Sequence, residues 1–121
     1  MNASDARQRH DPRIPLDVTV SRADDVEPGR YLAVDISCGG ICMRSMRKEK
    51  VGGFVALSFS LDGHDLHLYA EVIWSRTEGV ADPIAPHLVG MKWVTPSTSA
   101  AQVIGSYIAQ RLAAAPTWTS G

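Results

Sequence analysis

Two arginines near the start of the chain are the first residues whose types and spacing could do chemistry. Arg9 and Arg13 stand four residues apart, in a segment whose prolines resist helix and favour an extended arm. The planar guanidinium fork of arginine binds phosphate oxygens, and it also matches the N7 and O6 acceptors on the Hoogsteen edge of guanine. The pair therefore suits capture of a guanine nucleotide; the alternative interpretation is a solvated basic tail.

A second motif, Asp35-Ile36-Ser37-Cys38-Gly39-Gly40, supplies complementary groups. Asp35 offers a carboxylate that can accept from guanine N–H donors, and Ser37 offers a hydroxyl. Gly39 and Gly40 let the backbone come close to a ligand. The alternative is an ordinary turn in which Asp and Ser bond local backbone. Because either motif alone occurs by chance in many proteins, the interpretation as a site for a small nucleotide with two phosphates depends on both together.

In this order and context, the two motifs resemble those of the PilZ domain family, whose members bind cyclic di-GMP on a small six-stranded β-barrel. Arg9 and Arg13 match the family's Arg-x-x-x-Arg, and Asp35, Ser37 and Gly40 match its Asp-x-Ser-x-x-Gly. A terminal helix is also typical of the family. Three further segments resemble family strands: Arg13-Ile14-Pro15-Leu16, Val72-Ile73-Trp74 and Val89-Gly90-Met91-Lys92-Trp93.

The resemblance implies cyclic di-GMP as the ligand and adds contacts to the predicted site. Gly39 is kept in the predicted site beside Gly40 for its backbone freedom, and the resemblance adds Arg44, which lies where some single-domain members place a basic residue at the ligand. Trp74 is either packed in the core, as its phase in the strand suggests, or placed at the rim, where its indole could stack on guanine. Gln8 stands where many members carry another arginine, which leaves open whether one ligand or a stacked pair binds.

Short, regularly spaced strands must position these residues. With no helix between them, such strands argue for a barrel or sandwich. The predicted fold class is mainly β, a six-stranded antiparallel PilZ-type β-barrel with a C-terminal α-helix and a flexible N-terminal arm. We predict a single domain over 1–121, with the arm at 1–15, the barrel at 16–94 and the helix at 96–115. The predicted strands are 16–20, 30–37, 41–45, 54–61, 66–75 and 87–94.

Side-chain alternation predicts which faces of these strands are buried. Leu32, Val34 and Ile36 share one face and are expected to point into the core, which leaves Asp35 and Ser37 on the surface. Asp-Gly at 62–63 predicts a tight hairpin between two alternating strands.

Helical spacing of apolar residues continues after the last predicted strand. Thr95 or Ser97 is expected to cap the helix, and Gly105 weakens it. The stripe expected to dock on the barrel contains Ala100, Val103, Ile104, Tyr107, Ile108, Arg111 and Leu112.

Composition narrows the function class. The chain has 121 residues with 12 basic and 13 acidic side chains, so it lacks the broad positive field expected of a DNA- or RNA-binding protein. It has no recognisable pair of nucleophile and base, and His64 and His67 have no third partner at metal-ligand spacing, so we expect no enzyme, no metal and no cofactor. Cys38 and Cys42 are expected to be reduced thiols. No apolar run of membrane-spanning length or signal-peptide pattern is present, which favours a cytoplasmic protein without membrane insertion.

The resulting hypothesis is a bacterial cyclic di-GMP receptor or adaptor whose N-terminal arm changes conformation on binding and signals to an unidentified effector protein. It is expected to be a monomer or weak dimer, and the resemblance implies outputs such as motility or biofilm formation. One alternative is a ligand-independent PilZ-like adaptor, for example in type IV pilus or motility machinery. A second alternative, a barrel that binds single-stranded nucleic acid, is disfavoured by 7% aromatic content and a net charge of -1.

Overall fold

The computed structural model describes residues 12–22, 30–77 and 85–119, with only the backbone described at residue 30 and from residue 114 on. These ranges contain seven strand segments and one helix. No helix in these ranges is long and apolar enough to cross a bilayer. The elements are β1 Ile14–Pro15, β2 Thr19–Arg22, β3 Arg30–Ile36, β4 Gly40–Ser45, β5 Phe54–Leu61, β6 His64–Thr77, β7 His87–Trp93 and α1 Thr98–Thr119.

The strands close into a barrel. The sheet order is β1-β3-β2-β5-β6-β7-β4, and β4 pairs back with β3 to complete the ring. Every pairing is antiparallel. Because β1 and β2 pair with successive parts of β3, they act as one interrupted strand, and the barrel has six strands. The predicted fold class is therefore confirmed for barrel and helix. The predicted N-terminal arm lies mostly outside the described residues.

The interruption between β1 and β2 was not predicted. Residues 16–18 leave the regular ladder, although the amide of Leu16 still donates to the carbonyl of Val34 at 3.1 Å. The amide of Ala33 donates to the carbonyl of Val18, also at 3.1 Å. The first strand therefore lies at 14–15 and 19–22 instead of 16–20, and the helix runs over 98–119 instead of 96–115.

The predicted alternation in β3 is wrong. Leu32 and Val34 are 47% and 36% exposed, whereas Tyr31 and Ile36 are 1% and 0% exposed. A β-bulge between Ala33 and Asp35 explains the error, because the extra residue reverses the phase of the strand part-way along it. Asp35 still lies on the outer face, but it reaches that face through the bulge.

The hairpin and the core follow the sequence closely. Asp62 and Gly63 have φ values of 48° and 83°, the left-handed pair that a two-residue type I′ turn requires. On either side, β5 and β6 bury alternate apolar residues. These join the other strands in one core, which contains Val20, Ile41, Met43, Val55, Leu57, Phe59, Leu66, Leu68, Val72, Val89, Met91 and Trp93.

The helix α1 packs on this core with part of its predicted stripe. Ser97 is the cap, because its Oγ accepts from the amide of Ala100 at 3.1 Å. Ala100, Ile104 and Ile108 are buried, and Val103 and Tyr107 pack beside them. The stripe ends there, because Leu112 is exposed and Arg111 pairs with Asp62 at the surface.

Gly105→Ala is expected to stabilise the protein by about 0.5 to 1 kcal/mol, because alanine removes the entropic cost of glycine inside a helix. A Cβ at this position meets nothing within 4 Å. Urea unfolding should give a higher midpoint with an unchanged slope. A lower midpoint would show that the site is not free to accept a methyl group.

Candidate functional site

A cleft of about 270 Å³ opens on the outer face of the barrel, where β3, β4, β6 and β7 meet the residue before β1. Its wall contains residues from five parts of the chain, which only the barrel pairing brings together. The lining residues are Arg13, Asp35, Ser37, Gly39, Gly40, Ile41, Cys42, Ile73, Trp74, Gly90, Met91 and Lys92.

Asp35 is placed at the cleft by the β3 bulge. The bulge pairs Asp35 with Cys42 of β4, whose side of the strand faces outward, instead of with a core position. Burial raises the pKa of Asp35 above its usual 3.8, and the nearby Arg13 guanidinium opposes that shift. The carboxylate is therefore partly removed from water before any ligand arrives.

Ser37 fixes the turn between β3 and β4. Its Oγ accepts from the amides of Gly39 and Gly40 at 3.3 and 3.2 Å, and its own amide donates to the carbonyl of Gly40 at 2.9 Å. The indole Nε1 of Trp93 donates to the Ser37 carbonyl at 3.4 Å. The turn therefore has a defined shape in the free protein, which reduces the entropy lost on binding.

Gly40 is required for close packing of two strands. A Cβ at Gly40 would overlap the backbone carbonyl of Met91 in β7, and backbone cannot move aside as a flexible side chain can. The described glycines with positive φ are Gly52 and Gly63, so left-handed backbone is not the reason for a glycine at position 40.

Trp74 reaches the cleft through a second bulge, between Val72 and Trp74 in β6. The bulge turns the indole to the outer face, where it lies across from Gly90 and is partly buried. The guanidinium carbon of Arg76 lies 5.6 Å from the ring centroid, within cation–π range. Of the two placements open from the sequence, the structure has the rim and not the core.

Six of the eight sequence-predicted site residues line this cleft: Arg13, Asp35, Ser37, Gly39, Gly40 and Trp74. Arg44 lies on the same face of β4 but beyond the cleft lining, across from Leu32 and Leu88. Arg9, like Gln8, lies outside the described residues.

The family model of the PilZ domain matches residues 7–110. The chain belongs to the PilZ domain family. The expected family resemblance is thereby confirmed. The comparison with curated proteins finds no match.

Solved structures share the fold of this PilZ domain at low identity. Bacillus subtilis inhibitor of motility (MotI/DgrA) is 16% identical with a TM-score of 0.70, over 86% of this chain and 51% of that one. MrkH of K. pneumonia in complex with c-di-GMP is 15% identical with a TM-score of 0.71, over 89% of this chain and 54% of that one. This chain thus spans about half the length of both.

An isolated domain gives a match over most of this chain and nearly all of the other. The PilZ domain of Escherichia coli YcgR with c-di-GMP is 16% identical with a TM-score of 0.64, over 91% of this chain and 98% of that one. At such identities the likeness shows the common fold.

Two polar residues of the cleft were not among the predicted site residues of this PilZ domain. Lys92 is largely exposed, and its Nζ lies 3.6 Å from the carboxylate of Glu71. Cys42 is buried beside Asp35, and burial together with the Asp35 charge raises the pKa of its thiol to about 11, so it is neutral at physiological pH. The pairing of β4 with β7 would have identified both residues, because it places Cys42 and Lys92 on the same face as Gly40 and Gly90.

Asp35→Asn is expected to raise the stability of this PilZ domain at pH 7. Burial raises the Asp35 pKa on folding, so the protonated form adds stability below the unfolded pKa of 3.8, and this stability is lost as the pH rises through the higher folded pKa. Asparagine cannot ionise, so the variant should have a higher urea midpoint at pH 7 and lose that advantage in acid. Asp17→Asn, at an exposed position, is the matched control, and a lower midpoint for Asp35→Asn at pH 7 would contradict this argument.

Proposed function

We propose that this PilZ domain is a receptor for cyclic di-GMP that signals to a partner protein. The observation that carries the proposal is the presence of residues from both motifs in one cleft. Arg13 of the first motif lies with Asp35, Ser37 and Gly40 of the second, although the two motifs are far apart in sequence. The presence of cyclic di-GMP in structures of the related YcgR domain and MrkH supports the same ligand class.

The chemistry of the cleft suits a guanine nucleotide. Arg13 supplies a planar fork for phosphate oxygens or for the Hoogsteen edge of guanine. Asp35 supplies a carboxylate, the side-chain group that can accept hydrogen bonds from the N1 and N2 hydrogens of guanine while carrying a negative charge. Trp74 supplies an aromatic surface for the base. Gly40 allows β4 and β7 to approach closely beside these groups, because a Cβ there would overlap the Met91 carbonyl.

Affinity should depend on pH through Asp35. Guanine donors bind the carboxylate form, so binding lowers the Asp35 pKa and is opposed by protonation. Because burial already raises this pKa in the free protein, affinity should begin to fall above the usual Asp range as the solution is acidified. Asp35→Asn should weaken binding about tenfold and remove this acid-side loss.

The receptor is proposed to signal through its N-terminal arm. We propose that ligand draws Arg9 to the phosphates beside Arg13, and that the arm thereby changes conformation against the barrel. Such a change would create or cover a surface that an effector protein recognises. The related inhibitor of motility indicates one kind of output that a protein with this fold can have.

Thermal unfolding with three nucleotides tests the receptor against its alternatives. Cyclic di-GMP at about a hundredfold excess over Kd should raise the melting temperature by about 5 to 10 °C, because binding stabilises the folded state alone. GTP and a single-stranded oligonucleotide should give no comparable shift. A shift with the oligonucleotide would favour a nucleic-acid-binding barrel, and no shift with any nucleotide would favour the ligand-independent adaptor.

A further inference from the structure

Gly90 occupies the centre of the cleft wall. It pairs with Trp74 of β6 on one side and with Cys42 of β4 on the other, and all three residues line the cleft. Gly90 is buried. Its φ is not in the left-handed region; among the described glycines, only Gly52 and Gly63 have a positive φ. Conformational freedom therefore does not explain a glycine here.

The indole of Trp74 takes the space that any side chain at position 90 would need. A Cβ on Gly90 would fall less than 3 Å from Cε2, Nε1 and Cζ2 of the indole, closer than real Cβ atoms come to other atoms. These atoms belong to a rigid bicyclic ring, so the overlap cannot be relieved by bending a flexible side-chain end. An added methyl group would displace the whole ring.

Two other features of the structure bear on the position of the ring. The β6 bulge turns Trp74 to the outer face, and the guanidinium carbon of Arg76 lies 5.6 Å from the ring centroid, within cation–π range. The Gly90 backbone is held in register between two strands.

We infer that Gly90 is the positioning residue that seats the indole of Trp74 in the cleft wall and so sets how well a guanine base can contact it. The ligand part of this inference rests on the proposed function. A side chain at position 90 would fall on the indole ring, so its effect on binding should pass through Trp74.

A double-mutant cycle tests this dependence. Trp74→Ala should weaken cyclic di-GMP binding by about fivefold to a hundredfold, the range for loss of one base–aromatic stack. Gly90→Ala should weaken it by a similar factor, and adding Gly90→Ala to Trp74→Ala should cause no further loss. Equal losses in both backgrounds would overturn the inference, as would unchanged affinity in Gly90→Ala. Gly105→Ala, a glycine substitution in open space, is the matched control and should leave affinity unchanged.

The indole Nε1–H resonance of Trp74 gives a readout in the free protein. Gly90→Ala should shift this resonance strongly, whereas the corresponding resonance of Trp93 in the core should stay in place and show that the barrel is folded. An unshifted Trp74 resonance would overturn the inference with or without ligand. If the wild-type protein fails to bind cyclic di-GMP, the receptor proposal falls, and this resonance still decides whether Gly90 seats the indole.

Discussion

Arg13→Ala will weaken binding of cyclic di-GMP by about tenfold or more. Arg13 lines the cleft, where its charge acts on Asp35, and a charge-assisted hydrogen bond to a phosphate or to guanine is worth roughly 1.5 to 3 kcal/mol. Calorimetry at fixed salt measures the change directly. Removing Arg13 also removes the charge that opposes protonation of Asp35, so the loss should grow as the solution is acidified.

Three companion variants separate geometry from charge. Arg13→Lys keeps the charge but loses the planar fork, so it should recover only part of the affinity. Arg111→Ala removes an arginine of α1 that pairs with Asp62 in the turn between β5 and β6. This pair lies outside the cleft, so the variant should bind as the wild type does. Arg9→Ala should lose about as much as Arg13→Ala if the arm joins the ligand. Unchanged affinity in both Arg9→Ala and Arg13→Ala would contradict the proposed role of the first motif.

Glu49→Ala will destabilise the barrel by about 2 to 4 kcal/mol without altering the cleft. Glu49 is 7% exposed, and its two carboxylate oxygens accept from Arg22 and from the Tyr31 hydroxyl, each at 3.0 Å. Removing one member of a buried charged pair leaves its partners without their acceptor. The expected cost stays below the full range for such pairs because the Arg22 side chain is 25% exposed and can turn to water.

The Tyr31 hydroxyl, unlike the Arg22 guanidinium, cannot turn to water when Glu49 is removed. It is 1% exposed, and burial, reinforced by the Glu49 charge, raises its pKa to about 12, so it remains a neutral donor. Urea unfolding of Glu49→Ala should show the lost stability. Glu71→Ala, which removes a surface carboxylate paired with Lys92, should cost less than about 1 kcal/mol. Equal losses of stability in Glu49→Ala and Glu71→Ala would show that the contacts of Glu49 with Arg22 and Tyr31 do not stabilise the barrel.

The strands and the two motifs were accessible from the sequence because both are local signals. Period-two alternation predicted β5 with the bounds that the structure has. Asp62-Gly63 identified the hairpin, because a type I′ turn needs two residues that tolerate positive φ. The prediction of Asp35 at the surface was right for the wrong reason. In β3, apolar residues occupy both phases, so Leu32 and Val34 mimic a buried face while Tyr31 fills it.

The remaining features could not be predicted because they depend on pairing across the barrel. A bulge leaves no unambiguous mark in one strand, so the outward turn of Trp74 was only one of two options. Glu49 meets Arg22 and Tyr31 across 27 and 18 residues of sequence, and no local pattern joins them. Gly90 looks like an ordinary strand glycine until the indole across from it is seen.

Calorimetric titration of the purified chain with cyclic di-GMP, with GTP as the control, tests the central claim most directly. We predict saturable heat with a micromolar or tighter Kd for cyclic di-GMP and none for GTP. The molar ratio will also show whether Gln8 permits one ligand or a stacked pair. No heat from cyclic di-GMP, together with an unchanged melting temperature, would contradict the claim that this cleft is a receptor site.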